Sequence, residues 1–519
     1  MRALVSVSDK TGLVEFVQGL VDLGWEIIAT GGTQKLLESK GVKTIGISEV
    51  TGFPEICDGR VKTLHPKVHG GILARRDVPA HMETLKENAI ETIELVCVNL
   101  YPFRQTIAKE GVTLEDAIEN IDIGGPSMVR SAAKNWRDVT IVCDPNDYDT
   151  VLAELRENGA TSPETRLKLS AKAYTHTAEY DACIATYMRK QAGLPEKLFL
   201  EFDIKQGLRY GENPHQSANF YAALEPAPFS LAFATQIQGK ELSYNNIQDK
   251  ELSYNNIQDA NAALNVLRDF DEPFCVALKH MNPCGAAVGK TVEEAWQAAY
   301  EADKVSIYGG IVGVNRELTA EVARGMKPIF LEIVIAPSYT PEALEILATK
   351  KNLRVMQVDM TRTDAPVPQY VSVNGGLLVQ QLDTQVEKVT PEMCVTKVKP
   401  TEAQMADANF GWKIVKHVKS NAICVVRDNH TIGVGAGQTN RVGSALIALE
   451  EAKAAGFTEG LVLASDGFLP FDDTVALAAK YGVTVIVQPG GSIRDADAIA
   501  KADELGITML FTGVRHFKH

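Results

Sequence analysis

Lys279 and His280 stand side by side where the apolar run FCVALK ends, followed by Met281-Asn282-Pro283-Cys284-Gly285. A lysine beside a histidine holds the imidazole neutral by like-charge repulsion, leaving it free to accept a proton. The bland alternative is a buried histidine satisfied by core hydrogen bonds. The run reads as a strand that turns at Asn282-Pro283 and Cys284-Gly285.

A second group lies near the N-terminus. Gly59-Arg60-Val61-Lys62-Thr63-Leu64-His65-Pro66-Lys67-Val68-His69-Gly70-Gly71 crowds basic side chains between glycines. In an acidic chain such a loop suits an anion or a polarised carbonyl, the alternative being a solvated basic loop. Tyr101 follows in NLYPF. Asp122 precedes Gly124-Gly125, a turn offering backbone donors, and Lys134 comes later on a helix. SVSDKTG (Ser6–Gly12) and ATGGT (Ala29–Thr33) are strand-to-helix loops rich in hydroxyls and N–H groups. Each alone is an ordinary helix start; together at one sheet edge they suit a phosphate.

Further polar runs sit in the second half: RYGENPHQ from Arg209, Lys419-Ser420-Asn421, GVGAGQ leading to Arg441, SDGFLPF from Ser465, QPGGS, and TGVRHF ending at Phe517. Strand-end turns with cations and aromatics fit a phosphorylated heteroaromatic ligand. A zinc deaminase reading fails. Pro283-Cys284 is followed three positions on by Ala287 rather than Cys, and one thiolate cannot make a three-ligand site.

Elements must bring these runs together. Ala3–Val7, WEIIAT, VKTIGI and Glu94–Val98 read as strands, with Gly12–Leu23 and the stretch after Gly31–Gly32 as helices. This βαβα rhythm predicts a mostly parallel sheet covered on both faces, with ligands at the carboxyl ends of its strands. A helix is predicted over Pro163–Ala192 and a domain break near residue 195. Beyond it, strands at Cys275–Leu278, Ile333–Ala336, Ala422–Val426, Gly460–Ala464 and Thr484–Gln488 predict two smaller α/β/α units, split near 360–400. VSVNGGLLVQQ lies in an irregular or β-rich connection between them.

The chain has 519 residues, 45% hydrophobic and 23% charged, with a formal net charge of −14. These are globular values and argue against general binding to nucleic acid or anionic membrane. No stretch reaches the ~20 apolar residues of a membrane span, and the N-terminus does not read as a signal peptide. Eight cysteines without a CxxC pair predict a reduced, cytoplasmic protein without structural zinc.

KELSYNNIQD occurs twice in tandem, at 240–249 and 250–259. Two copies of so short a unit are no solenoid. Only one copy can occupy a native position, so the other is expected to bulge out at a loop cost of about 1–3 kcal/mol.

SVSDKTG, ATGGT, GRVKTLHPKVHGG, NLYPF, IGGPSMVRSAAKN, RYGENPHQ, KHMNPCG, IGVGAGQ, SDGFLPF, QPGGS and FTGVRHFKH together resemble, over essentially the whole chain, the bifunctional purine biosynthesis family of phosphoribosylaminoimidazolecarboxamide (AICAR) formyltransferase/IMP cyclohydrolase. The resemblance implies an α/β fold: a methylglyoxal-synthase-like cyclohydrolase domain over 1–195, then a formyltransferase region over 196–519 of two cytidine-deaminase-like units. It implies formyl transfer from 10-formyltetrahydrofolate to AICAR, giving FAICAR, then closure to IMP, with no metal required.

For closure it implies proton transfer by Lys134, Tyr101 and Asp122, and charge stabilisation by Lys62 and Gly124-Gly125. Ser8, Lys10, Gly31, Gly32, Thr33, Arg60 and Thr63 hold the nucleotide. For formyl transfer it implies His280 as base and Lys279 at the oxyanion. Arg209, Tyr210, Asn282, Asn421, Arg441, Phe468, Asp473 and Arg515 contact the ribotide; Tyr308 and Glu332 lie on the folate side. Spacing to the following ANAALNVL helix assigns a further contact to Asn256, whereas counting from the preceding segment assigns Asn246. The partners implied are these small molecules and a second copy of the chain, with no nucleic acid and no membrane. The rival reading is a nucleotide-binding protein of the same fold, with formyl transfer impaired by the duplication. Loss of Lys134, Lys279 or His280 would favour it, and all three are present.

Overall fold

The computed structural model describes residues 1–238 and 252–519. They form two compact units, Met1–Glu201 and Phe202–His519. In the first, the strands β1 (Arg2–Ser6), β2 (Glu26–Ala29), β3 (Ile45–Gly46), β4 (Leu95–Val98) and β5 (Thr140–Val142) pair in parallel, in the order β3-β2-β1-β4-β5. Leu4, Val5, Ile27, Ile28, Val96 and Cys97 are buried, because helices cover both faces of a parallel sheet. The strand order reverses between β1 and β4, the place where such sheets open a crevice at their carboxyl edge.

VKTIGI yields only the two-residue β3. The Glu49 carboxylate takes the Gly46 N–H at 2.9 Å, and this cap turns Ile47–Thr51 into a helix.

The second unit contains β6 (Phe202–Leu208), β7 (Ala218–Ala223), β8 (Thr235–Gln238), β9 (Phe274–Lys279), β10 (Asn282–Val288), β11 (Gly310–Val314), β12 (Leu331–Ala336), β13 (Arg354–Gln357), β14 (Pro368–Val373) and β15 (Gly376–Gln381). It continues with β16 (Ile423–Arg427), β17 (His430–Gly435), β18 (Leu461–Ser465), β19 (Val483–Gln488) and β20 (Thr508–Phe511). Eleven of them make one sheet, ordered β20-β19-β18-β16-β17-β10-β9-β11-β12-β13-β8. The pairs β6–β7 and β14–β15 stand as separate hairpins.

Two similar halves meet in that sheet. Each runs antiparallel hairpin, then three strands pairing in parallel: β9–β10 with β11, β12 and β13, and β16–β17 with β18, β19 and β20. They join where Ala287 pairs with His430 across β10 and β17. Along β9, Phe274, Val276 and Leu278 enter a core shared by both halves, while Cys275 and Ala277 enter a core of the first half alone. The sequence reading of two separate units thus meets one continuous sheet. Its shared face is covered by the helices Tyr254–Leu267 and Glu402–Val415, from which Leu264 and Trp412 point inward.

The turn after FCVALK also differs from expectation. It falls at His280-Met281, and Asn282–Gly285 already belong to β10, with a bulge between Pro283 and Gly285. Proline lacks a ladder donor, and the bulge accommodates it. VSVNGGLLVQQ forms the β14–β15 hairpin, with Gly375 at φ 75° in its turn.

Candidate functional site

A cavity of about 650 Å³ opens at the carboxyl edge of the first sheet. Three loops build its floor. The Thr33 hydroxyl takes the Val7 N–H and returns a bond to the Val7 carbonyl, both at 3.1 Å, tying the ATGGT helix start to the end of β1. Asn99 crosses from β4, accepting the Ser8 N–H at 2.6 Å and the Asp9 N–H at 3.0 Å. The Lys10 ammonium folds back over the Val7 and Ser8 carbonyls.

Lys62, Arg60, Thr63 and the exposed Tyr101 ring face these loops. Asp122 completes the wall. Its N–H donates to the Tyr180 hydroxyl at 2.7 Å, and its carboxylate accepts from Gly125 at 2.8 Å. Burial pushes the Asp122 carboxyl up, and the Gly125 N–H and the Lys62 cation oppose that shift without cancelling it.

In the second unit a cavity of about 400 Å³ is lined by Asn421, Asn440, Arg441, Phe468, Phe471, Asp473 and Phe517. Arg441 is buried, bonded to Asp466, to Ser465 Oγ at 3.0 Å and to Asn421 Oδ1 at 2.9 Å, so its fork is fixed before any ligand arrives. The Arg515 guanidinium stacks on the Phe517 ring, 4.9 Å from its centroid.

The His280-Met281 turn lies against the same segments. Asn282 Oδ1 takes the Lys419 N–H at 2.9 Å, and Lys518, next to Phe517, donates to the Met281 carbonyl at 3.2 Å. The Lys279 ammonium reaches the Tyr308 carbonyl at 3.0 Å, beneath an exposed Tyr308 ring.

Known proteins are similar to this chain. The sequence model described as "AICARFT/IMPCHase bienzyme" matches residues 132–251 and 248–451, and an MGS-like domain matches 12–127. The bifunctional purine biosynthesis protein PurH of Bacillus cytotoxicus is 58% identical over 100% of this chain and 99% of its own. The chain belongs to the AICARFT/IMPCHase bienzyme family. PurH of Bacillus mycoides is 57% identical over the same shares. The structure titled "Crystal structure of ForH" aligns at 39% identity over 36% of this chain and 95% of its own, with a TM-score of 0.33.

Against that family background, the first cavity gathers Ser8, Lys10, Gly31, Gly32, Thr33, Arg60, Lys62, Thr63, Tyr101, Asp122, Gly124 and Gly125. Lys134 is not among them. It closes the eleven-residue helix Gly124–Lys134, exposed at the end away from the cavity.

In the second unit Asn421, Arg441, Phe468 and Asp473 share the smaller cavity. Arg209 and Tyr210 lie on a loop whose Glu212 carbonyl accepts from Asn255 at 3.3 Å. Asn256 is a cap. Its carbonyl oxygen accepts from the Ser253 hydroxyl at 2.8 Å at the start of the helix Tyr254–Leu267. Asn246 lies outside the described residues. Glu332 pairs with the buried Arg354 at the head of β12 rather than lining either cavity. Asn99, Asp466 and Phe517, each inside a motif quoted above, also shape these cavities: Asn99 ties the Ser8 loop, Asp466 holds Arg441 and Phe517 lines the smaller cavity.

Proposed function

We propose that the first unit closes FAICAR to IMP and that the second unit formylates AICAR, the two activities of this family divided between residues 1–195 and 196–519. The chain is a bifunctional enzyme of purine biosynthesis. The observation carrying the site assignment is the first cavity, where phosphate-type loops, the basic Arg60–Lys62 run and a buried, anchored carboxylate face one space.

For closure, the carboxamide nitrogen attacks the formyl carbon and water leaves. Lys62 and the N–H groups at Gly124-Gly125 stabilise the oxyanion, and Tyr101 with Asp122 handles the protons. Ser8, Lys10, Gly31–Thr33, Arg60 and Thr63 hold the ribotide.

For formyl transfer, the 5-amino nitrogen of AICAR attacks the formyl carbon of 10-formyltetrahydrofolate. His280 takes the amine proton, Lys279 stabilises the oxyanion, and the C–N10 bond breaks to release tetrahydrofolate, which takes up a proton. Arg441, Asn421, Phe468, Asp473, Arg515, Arg209 and Tyr210 bind AICAR. The exposed Tyr308 ring, 5.4 Å from Phe330, offers the folate a stacking face. No step runs through a metal.

The two halves of the second sheet we read as cytidine-deaminase-like units. Eight free thiols support a cytoplasmic site. A second copy covers the β14–β15 hairpin, whose residues are exposed throughout, Tyr370, Val371, Leu378 and Val379 among them. A two-stranded hairpin alone is marginal in water. Leu378→Asp is expected to shift sedimentation from dimer to monomer.

Incubation with AICAR and 10-formyltetrahydrofolate should yield IMP, and each half-reaction can be followed alone. Lys62→Ala should abolish closure only and His280→Ala formyl transfer only. Loss of the other half-reaction in either variant would overturn the division.

A further inference from the structure

The two hairpins that begin the halves of the second sheet share one device. β9 and β10 are joined by two residues, His280 (φ 53°) and Met281 (φ 61°), and β16 and β17 by two, Asp428 (φ 51°) and Asn429 (φ 56°). Positive φ at both positions makes the turn that suits the strand twist, and it favours Asn, Asp and Gly.

In each half a carboxylate from the preceding helix receives the turn's N–H groups. Asp407 takes those of Asp428 at 3.2 Å and Asn429 at 2.6 Å. Asp259 takes that of Met281 at 2.7 Å and also faces the His280 N–H. Both helices have 14 residues, and each acid stands five positions after the start, 254 to 259 and 402 to 407.

The device does different work in the two places. Asp428-Asn429 consists of residues that tolerate the left-handed region. Met281 has no such preference, so its backbone is strained there and must be held from outside. A local rule broken at one of two equivalent turns marks a functional position. The Met281 peptide is then gripped at both ends, with its N–H on Asp259 and its carbonyl on Lys518.

We propose that Asp259 is a positioning residue for formyl transfer, holding the strained turn so that His280 meets the AICAR amine. This rests on His280 being the base of that reaction. Asp259 touches no substrate and acts through the turn. Because Asp259 ends the second copy of the repeated decapeptide, that copy carries the working acid.

Asp259→Ala and Asp407→Ala remove the same device from equivalent turns, so their comparison separates aiming from folding. Assays use the full chain, with cyclohydrolysis as the internal control. For Asp259→Ala, formyl-transfer kcat should fall about 100-fold, with the AICAR KM within about twofold and cyclohydrolysis unchanged. Asp259→Asn, which keeps one acceptor oxygen, should recover most of the loss. Asp407→Ala should lower stability and leave kcat in place.

Wild-type kcat in Asp259→Ala, or equal kcat losses in the two alanine variants, would overturn the proposal. Should an alanine variant fail to fold, Asp259→Leu against Asp407→Leu, which fill the space without an acceptor, decides by the same kcat comparison. His280→Ala with undiminished formyl transfer would instead sink the reading of His280 as base.

Discussion

Thr33 spends its hydroxyl on both polar groups of Val7 and is 3% exposed. A motif residue can therefore serve a site by shaping its loop as well as by contact. Gly125 serves in a third way, by having no side chain. A Cβ there would fall 2.2 Å from Asp122 Oδ2 and 2.9 Å from Leu100 Cδ2. Gly125→Ala should displace the Asp122 carboxylate and lower cyclohydrolysis about 100-fold, leaving formyl transfer at the wild-type rate in the same preparation. Arg441 is buried beside the fully buried Asp466. Truncating one partner strands the other charge, so Arg441→Met should cost about 3–5 kcal/mol in denaturant unfolding and raise the AICAR KM.

At the scale of elements, the repeated decapeptide is decided by a helix start. Ser253 accepts the Asn256 N–H, Asn256 answers it, and Leu252 is buried. Ser, Asn and the apolar run after them form a capping box wherever the helix begins, and ANAALNVL follows only the second copy. Deleting 240–249 should therefore leave Tyr254–Leu267, Asp259 and both half-reactions in place, since chain length between fixed ends changes closure cost by only about 0.6 kcal/mol per halving. Loss of formyl transfer in that deletion, with cyclohydrolysis kept, would show that the first copy does the work. The C-terminal strand end is fastened as firmly. His516 bonds Asp383 at 2.6 Å and Glu387 at 2.9 Å. Burial alone would lower its pKa, and the two carboxylates raise it instead. The stabilisation is complete below the ordinary histidine value and fades as pH rises through the raised one.

For the molecule as a whole, buried thiols set the alkaline limit. Burial pushes Cys97 and Cys284 up to about 12 and Cys143 to about 11, and raises Cys275 and Cys424 as well. In the unfolded chain these groups ionise near 9. Native pKa values above the unfolded ones mean stability that is present below pH ~9 and lost as pH rises toward 12. Urea midpoints should fall across that window. Lys518 works the other way. Burial, with Lys419 nearby, lowers it to about 8, so its charge costs stability that returns as pH passes from ~8 to ~10.5. The alkaline fall should thus be steeper in Lys518→Met.

Within the first unit the sequence already determined most of the site, because its loops follow short parallel strands. Short continuous apolar runs, glycine-rich strand ends and one topological switch leave few places for SVSDKTG, ATGGT and the Arg60–Lys62 run to go. The local signals said less where position depends on three dimensions. Lys134 follows Asp122 closely in the chain and closes the helix that begins beside that carboxylate. Asn256 carries an amide suited to a ligand, and the helix start claims its carbonyl. His280 turns where no turn-forming residue announces it, because Asp259 and Lys518, distant in sequence, hold the Met281 peptide. Composition and periodicity determined that there would be sheets, covered faces and cation-lined edges. Only the tertiary structure decided which carboxylate meets which N–H, since that depends on contacts between residues up to 237 positions apart.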